Sequence, residues 1–322
     1  MKPPTRPSTS GSRLVTLTMN PALDITTTAD QVRPTEKVRC RGARYDAGGG
    51  GINVARIARV LGASVSAVFP AGGQSGDVVA DLVVEAGVPF HRIKIAEATR
   101  ESFTVNEAAT GQQYRFILAG PRLNFAEQAR CLDELRTAAR SAEFVVASGS
   151  LPPGIPADYY QRVADICKEL DARLVLDTSG SGLRHITSGV FLLKASVREL
   201  RECVRCDLTT EADQVAAAQE LIRCGRAEAV VVSLGSQGAL LATSRGNQRF
   251  SAIPMRSGSG VGAGDAMVAA ITVGLSRGWP IEKSVRLGIA AGAAMLMTPG
   301  TAVCNRADVD RLFEIVPEPT EV

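Results

Sequence analysis

Short apolar runs rich in β-branched residues alternate along the chain with longer segments whose apolar positions recur every three or four residues. The first run, Leu14-Val-Thr-Leu-Thr-Met19, reads as a buried strand closed by Asn20-Pro21, because branched side chains suit a pleated surface and proline cannot extend one. Further strands are predicted at Ser64–Pro70, Phe90–Ile95, Phe144–Ala147, Arg173–Asp177, Val190–Lys194 and Ala229–Ser233. Helical spacing predicts helices over Ile52–Leu61, Gly76–Ala86, Asn124–Arg140, Ala157–Leu170 and Glu211–Cys224. Two more, Ala266–Leu275 and Ile281–Met297, are rich in small apolar residues and read as buried helices. Strands alternating with helices predict an α/β fold with a right-handed, mainly parallel sheet. Val32–Asp46 breaks the pattern with a polar alternation that includes Lys37, Arg39, Arg41 and Arg44. Ser102–Glu107 and Gln113–Leu118 read as a hairpin around Thr110-Gly111. The expectation is one main domain over 13–322 with a small β excursion from about 32–47 and 99–119, after a disordered Pro/Ser/Thr-rich segment at 1–12.

Composition narrows the function classes. With 322 residues, 45% of them hydrophobic and 21% charged, the chain can bury a large core. A net charge of +3 with scattered basic residues argues against nucleic acid as a partner. No apolar run approaches the ~20 residues of a membrane span, and the N-terminus has no apolar signal-like segment, so a cytoplasmic protein is expected. Seven cysteines, an odd number without framework spacing, fit reduced thiols, and Cys203-Val-Arg-Cys206 lacks the second pair or nearby histidine of a zinc site. With only His91 and His185, histidine-dependent catalysis is disfavoured.

The candidate chemistry gathers on two glycine runs. Ser257-Gly-Ser-Gly-Val-Gly-Ala-Gly-Asp265 leads directly into the Ala266–Leu275 helix, so its backbone N–H groups and the helix dipole favour an anion. Asp265, in the first turn, is either a capping carboxylate or a general base beside an anion hole formed by Gly262, Ala263 and Gly264. Gly48-Gly-Gly-Gly51-Ile-Asn53 again joins a strand to a helix, and is either a flexible linker or a second close approach to a ligand. Polar residues recur where strands end: Asp24, Ser148 and Ser150, Asp177, Lys194 with Ser196 and Glu199, and Ser233 with Gly235 and Gly238. The C-terminal strand edge of an open α/β sheet is where ligands bind. The dinucleotide fingerprint G-x-G-x-x-G does not follow the first strand, and no G-x-x-x-x-G-K-[ST] loop occurs, so a nucleotide would be held another way.

Gly48-Gly-Gly-Gly-Ile-Asn-Val-Ala-Arg56 resembles the N-terminal signature of the phosphofructokinase B (ribokinase-like) sugar kinases, and Gly262-Ala-Gly-Asp265 resembles their C-terminal signature. Asn20-Pro-Ala-Leu-Asp24, Thr99-Arg100, Ser148-Gly-Ser-Leu-Pro-Pro and Ser233-Leu-Gly occur in the matching order, so the resemblance spans about Leu14 to Phe313. Within the family the chain is most similar to the branch acting on sugar phosphates, which includes 6-phosphofructokinases, 1-phosphofructokinases and tagatose-6-phosphate kinases. Leu17-Thr18 and Phe69-Pro-Ala-Gly-Gly73 incline it to the minor 6-phosphofructokinases.

The resemblance implies a three-layer α/β/α core with a β lid that mediates a homodimer, and transfer of phosphate from ATP with Mg²⁺ to fructose 6-phosphate. It implies Asp265 as base with Gly262 to Asp265 as anion hole. Asp24, Gly49, Gly50, Gly51, Asn53 and Ser150 would hold sugar hydroxyls, and Arg100 and Lys37 the substrate phosphate, the lysine reaching in from the opposite subunit in related dimers. Lys194, Ser196, Ser233, Gly235 and Gly238 would serve the nucleotide, Glu199 the hydrated Mg²⁺, and Ser259, Val261 and Gly300 a K⁺ ion. In one departure, Ser196-Val-Arg-Glu199 stands where the family carries Asn-x-x-Glu, which keeps open weaker metal binding or a ligand sensor on the same fold.

Overall fold

The structure, a computed structural model, describes residues 13–255, 260–298 and 302–322. The segment 1–12 and the candidate residues Ser259 and Gly300 lie outside them.

The elements run β1 (Leu14–Leu17), β2 (Ala22–Ala29), β3 (Cys40–Gly48), α1 (Gly50–Val60), β4 (Val65–Ala71), α2 (Gly73–Glu85), β5 (Phe90–Lys94), β6 (Arg100–Glu107) and β7 (Gln113–Ile117). Then follow α3 (Phe125–Ala138), β8 (Phe144–Ser148), α4 (Tyr159–Glu169), β9 (Arg173–Asp177), α5 (Ser181–Arg184), β10 (Val190–Ser196), α6 (Val197–Val204), α7 (Glu211–Arg223) and β11 (Ala227–Ser233). The last are β12 (Ala239–Thr243), β13 (Gly246–Phe250), α8 (Ala263–Ser276), α9 (Ile281–Met295), α10 (Arg306–Phe313) and β14 (Thr320–Glu321).

A ten-stranded sheet has the order β14-β13-β12-β11-β10-β9-β8-β1-β4-β5. From β5 to β11 its pairings are parallel, as the strand–helix alternation predicts, and β12, β13 and β14 continue it antiparallel. Alternation along each central strand divides the interior into two apolar clusters. Leu14, Phe144, Val146 and Val231 face one, with α1, α8 and α9 over them, while Val15, Val145, Ala147 and Val230 face the other, with α3, α4 and α7. The result is three layers. Because β1 and β8 are neighbours from which the chain departs in opposite directions, their C-terminal ends form the switch point of the sheet, where a crevice opens.

The second sheet, of order β3-β2-β6-β7, departs from expectation. Its longest pairing involves β2, absent from the sequence reading, which placed Asp24 at the end of the first strand. Asp24 instead lies inside β2, paired with Asp46 on one side and Ser102 on the other. The run Ile25-Thr-Thr-Thr28 is β-branched throughout, and its lack of apolar alternation hid a strand with one polar face. Val32–Asp46 is likewise only partly strand: residues 30–39 form an exposed connection, and pairing starts at Cys40.

Candidate active site

Two helix N-termini converge above the β1/β8 ends. Gly262, at φ 79°, turns the chain into α8, and Gly49, at φ 112°, turns it into α1. Both conformations favour glycine. Between them lies a polar cleft of about 260 Å³ lined by Gly50, Ser148, Ser150, Asp177, Lys194, Glu199, Gly262, Gly264 and Asp265.

Asp265 does not cap its own helix, since no side-chain bond caps α8. Its Oδ2 accepts from Asn53 Nδ2 at 2.9 Å and its Oδ1 from the Ser148 hydroxyl at a long 3.4 Å. The carboxylate thus ties α8 to α1 and β8. Burial, reinforced by the nearby negative charge of Asp177, pushes its pKa up to about 7, against the pull of Asn53, Lys194 and Ser148. A carboxyl that titrates near neutrality, half-buried beside free helix N–H groups, is suited to taking a proton.

Lys194, at the end of β10, donates to both Asp177 oxygens at 3.2 Å. Burial opposes its charge, but the carboxylates of Asp177, Glu199 and Asp265 outweigh it and hold the ammonium protonated. It lies directly under the α8 turn, since a Cβ on Gly264 would stand 3.0 Å from its Nζ. A fixed cation and the first N–H groups of a helix therefore face the same space. Ser196 caps α6 and forms a capping box with Glu199, whose Oε2 accepts from both the backbone N–H and the hydroxyl of Ser196 at 2.7 Å. Glu199 keeps its other oxygen for the cleft, whereas Ser196 is engaged with Glu199 and is not among the lining residues.

The second sheet connects to this region through Arg100, which bonds Asn20, and through Asp24, which lies against Gly48. Strand register puts Arg100, Asp24 and Arg115 on one face of it, on successive rows. Burial raises Asp24 to a pKa of about 6, with Arg100, Arg115 and Arg56 lowering it and Asp46 raising it. Arg100 donates to the Asn20 carbonyl at 3.2 Å, and its buried Nε has no partner among the described residues. Asn20 in turn donates to Ser150 Oγ at 3.3 Å. Gly48 leaves room for the Asp24 carboxylate, since a Cβ there would stand 2.2 Å from Asp24 Oδ2 and push that side chain aside.

Beyond Gly264 opens an apolar groove of about 610 Å³, lined by Ser233, Gly235 and Gly238 with Ile253, Met255, Met267, Ile289 and Leu296. Gly264 borders both spaces. The sequence-predicted residues fall unevenly among them. Gly50 and Ser150 line the cleft with Asp265; Asn53 is joined to it by its bond to Asp265 and Arg100 by way of Asn20 to Ser150, while Asp24 does not line it. Gly49 and Gly51 instead let α1 start hard against β1, their would-be Cβ atoms overlapping Thr18 Cγ2 at 2.6 Å and the Leu17 carbonyl at 2.5 Å. Lys37 sits in the exposed 30–39 connection and lines neither space. Sequence reasoning missed Arg115, whose signal was a lone cation in the apolar run Tyr114-Arg-Phe-Ile-Leu118. It also missed the Ile253–Met255 wall, which follows an unpredicted hairpin, β12–β13.

A family model described as pfkB family carbohydrate kinase matches residues 17–308, which include every cleft-lining residue. The chain belongs to that family. This pfkB kinase is 71% identical over 310 residues to the ATP-dependent 6-phosphofructokinase isozyme 2 of Mycobacterium tuberculosis (strain H37Rv), over 96% of this chain and 91% of the relative. It is 38% identical over 303 residues to the isozyme 2 of Escherichia coli (strain K12), over 94% of this chain and 98% of that one. The crystal structure of phosphofructokinase-2 from Escherichia coli in complex with fructose-6-phosphate superposes with a TM-score of 0.86 at 35% identity, covering 94% of this chain and 98% of that one. The potassium complex of the same enzyme gives 0.90 at 37%, with the same coverage. The ribokinase-like α/β expectation therefore holds, and so does the assignment to the kinase family.

Proposed function

We propose that this pfkB kinase transfers the γ-phosphoryl group of ATP to the 1-hydroxyl of fructose 6-phosphate, giving fructose 1,6-bisphosphate and ADP. Asp265 carries the reading: its carboxylate, with a pKa of about 7, stands in the cleft at the first turn of α8. The 71% identity to a 6-phosphofructokinase supports the same substrate pair.

The sugar binds between the two sheets. Arg100 and Arg115 hold its phosphate, where Arg100 offers a guanidinium not fully spent on protein partners. Asp24, Asn53, Ser150 and the Gly49–Gly51 turn hold its hydroxyls. Asp265 accepts the proton as the sugar oxygen forms its bond to phosphorus and the bond to ADP breaks. The N–H groups of Gly262 to Asp265 and the Lys194 ammonium stabilise negative charge on the transferring group, and such preorganised donors contribute about 3 kcal/mol each in comparable sites.

The donor set suits ATP with Mg²⁺. The groove accepts an apolar base beside Ser233, Gly235 and Gly238, and Ser196 acts by holding Glu199. No cluster of three or more acidic, histidine or cysteine ligands occurs among the described residues. Mg²⁺ uses one or two carboxylates, waters and substrate phosphates rather than such a cluster; Glu199 would hold it, and the ion would supply neutralisation of phosphate charge. K⁺ beside Val261 belongs to the same reading.

The smaller sheet acts as a lid over the sugar and as a homodimer contact. On the face opposite Asp24, Tyr45, Ile25, Phe103 and Phe116 form one cross-strand row, and Tyr45 and Phe116 are 50% and 54% exposed. A partner subunit seated there brings its Lys37 toward this cleft. No helix among the described residues is long and apolar enough to cross a membrane, in keeping with work in the cytoplasm.

The test is ATP turnover with Mg²⁺ on fructose 6-phosphate, fructose 1-phosphate, tagatose 6-phosphate, ribose and adenosine. The highest kcat/KM on fructose 6-phosphate is expected. Preference for another sugar would move the substrate, and ATP binding without turnover on any would favour a sensor.

A further inference from the structure

Two short helices lead away from the cleft floor. Asp177, Thr178 and Ser179 line the cleft, and α5 starts two residues later. Helix α6 starts beside Ser196 and holds Glu199 in its first turn. The two helices touch through the Cys203 thiol, 4.0 Å from the Leu183 carbonyl. At their far ends they open a separate shallow cavity of about 420 Å³, lined by Arg184, Arg201, Glu202, Arg205, Cys206 and Asp207. The eight residues of α6 put the two cavities about 12 Å apart along its axis.

Among the described residues, the arginines there lack carboxylate partners, as Arg59 on α1 also does, but here three of them line one hollow. Elsewhere on its helices Arg162, Arg223, Arg306 and Arg311 each pair with a carboxylate three or four residues away. Among the described residues, none of the guanidiniums of Arg184, Arg201 and Arg205 makes a hydrogen bond or ion pair. Glu202 is engaged with Arg198, at a loose 3.9 Å. Arg205 also holds a left-handed backbone, φ 56°, at the α6 C-cap, a conformation non-glycine residues seldom adopt. Part of this basicity complements the α6 C-terminus, as Arg201 does in its last turn, but Arg184 comes from another helix and has no such role. The three guanidiniums share the hollow with the carboxylates of Glu202 and Asp207, which offset part of their charge and leave an excess of positive charge there.

We propose that this cavity is an effector site for a small phosphorylated hydroxy acid. Its phosphate and carboxylate would each take a guanidinium fork, and its hydroxyl would donate to Glu202 or Asp207. Occupancy draws α5 and α6 together at their distal ends and so shifts the two cleft segments from which they start. The binding claim stands by itself; its effect on catalysis rests on the reading of Glu199 as the Mg²⁺ ligand.

The test uses 3-phosphoglycerate as probe on the full chain. Calorimetry in saturating fructose 6-phosphate, which fills the sugar site, is expected to show one site per chain with Kd below about 1 mM. Glycerol 3-phosphate, lacking the second acid, should bind about tenfold more weakly. An Arg201→Ala/Arg205→Ala variant should lose about tenfold or more in affinity for 3-phosphoglycerate, with melting lowered by no more than a few degrees, because both side chains are exposed and only the charge at the α6 C-terminus is lost. No binding by the native protein, or equal binding by the variant, would overturn the site. In kinase assays 3-phosphoglycerate should shift the KM for MgATP about twofold or more in the native protein and not in the variant. Binding without that shift would overturn the link to the cleft. Absence of any kinase activity would count against the proposed function alone, since calorimetry still reads the site.

Discussion

Asp265 and Asp24 are both half-buried carboxylates raised above the usual range, one to about 7 and the other to about 6, by different surroundings. Asp265 stands on the rigid three-layer core, where burial and the Asp177 charge push in the same direction. Asp24 stands on a four-stranded sheet among Arg100, Arg115 and Arg56, which offset much of its burial. On the proposed function, the core holds the proton acceptor, and the smaller sheet holds a carboxylate among cations that serves recognition. Chemistry and recognition would then be divided between two sheets. Loss of function at the first should appear in kcat, and at the second in KM.

Asp265→Asn tests the division most severely. It preserves shape and removes the base, and kcat should fall by about a thousandfold with KM for fructose 6-phosphate little changed. Full turnover in that variant would remove the base assignment. Arg100→Ala should raise KM for fructose 6-phosphate about tenfold to a hundredfold while kcat falls far less, and a loss confined to kcat would contradict a phosphate-binding role.

The pH profile sharpens the same contrast. Proton acceptance needs ionised Asp265, so kcat/KM should fall with unit slope as pH drops below about 7. The Asn53 bond favours the ionised form, so Asn53→Ala should move that limb to higher pH. A limb that stays in place would show that Asn53 does not govern the base. The smallest effect is expected from Gly48→Ala, whose Cβ would press on Asp24. It should lower Tm by a few degrees, about 1–2 kcal/mol, and raise KM modestly with kcat retained.

Legibility in the sequence followed the same division. Parallel core strands are buried on both faces, so Val145, Val230 and their neighbours form continuous apolar runs that any periodicity reading finds. Both glycine signatures, Asp265 and Asn53 were legible because helix starts leave local marks. The lid was harder. Asp24 and Thr26 share one face of β2, while Leu23 and Ile25 share the other and pack toward the core, so a threonine run concealed the alternation. Arg115 comes to act on the Asp24 charge only through its register with Thr104, a pairing no local pattern encodes. In the sequence Ser196 stands out only as a departure that keeps weaker metal binding open; its capping box with Glu199 is a consequence of three-residue helical spacing, visible once α6 is placed.

Gly264, the residue that borders both the polar cleft and the apolar groove, has a consequence for inhibitor design. Without a side chain at the boundary, a single linear molecule can run from one space into the other. A sugar-phosphate mimic joined by a short linker to an apolar heterocycle would occupy both at once, and its second half would bind at the high effective concentration set by the first. On the proposed assignment of the groove to ATP, compounds confined to it would compete with nucleotide alone. The linked molecule would have to be displaced from two sites simultaneously.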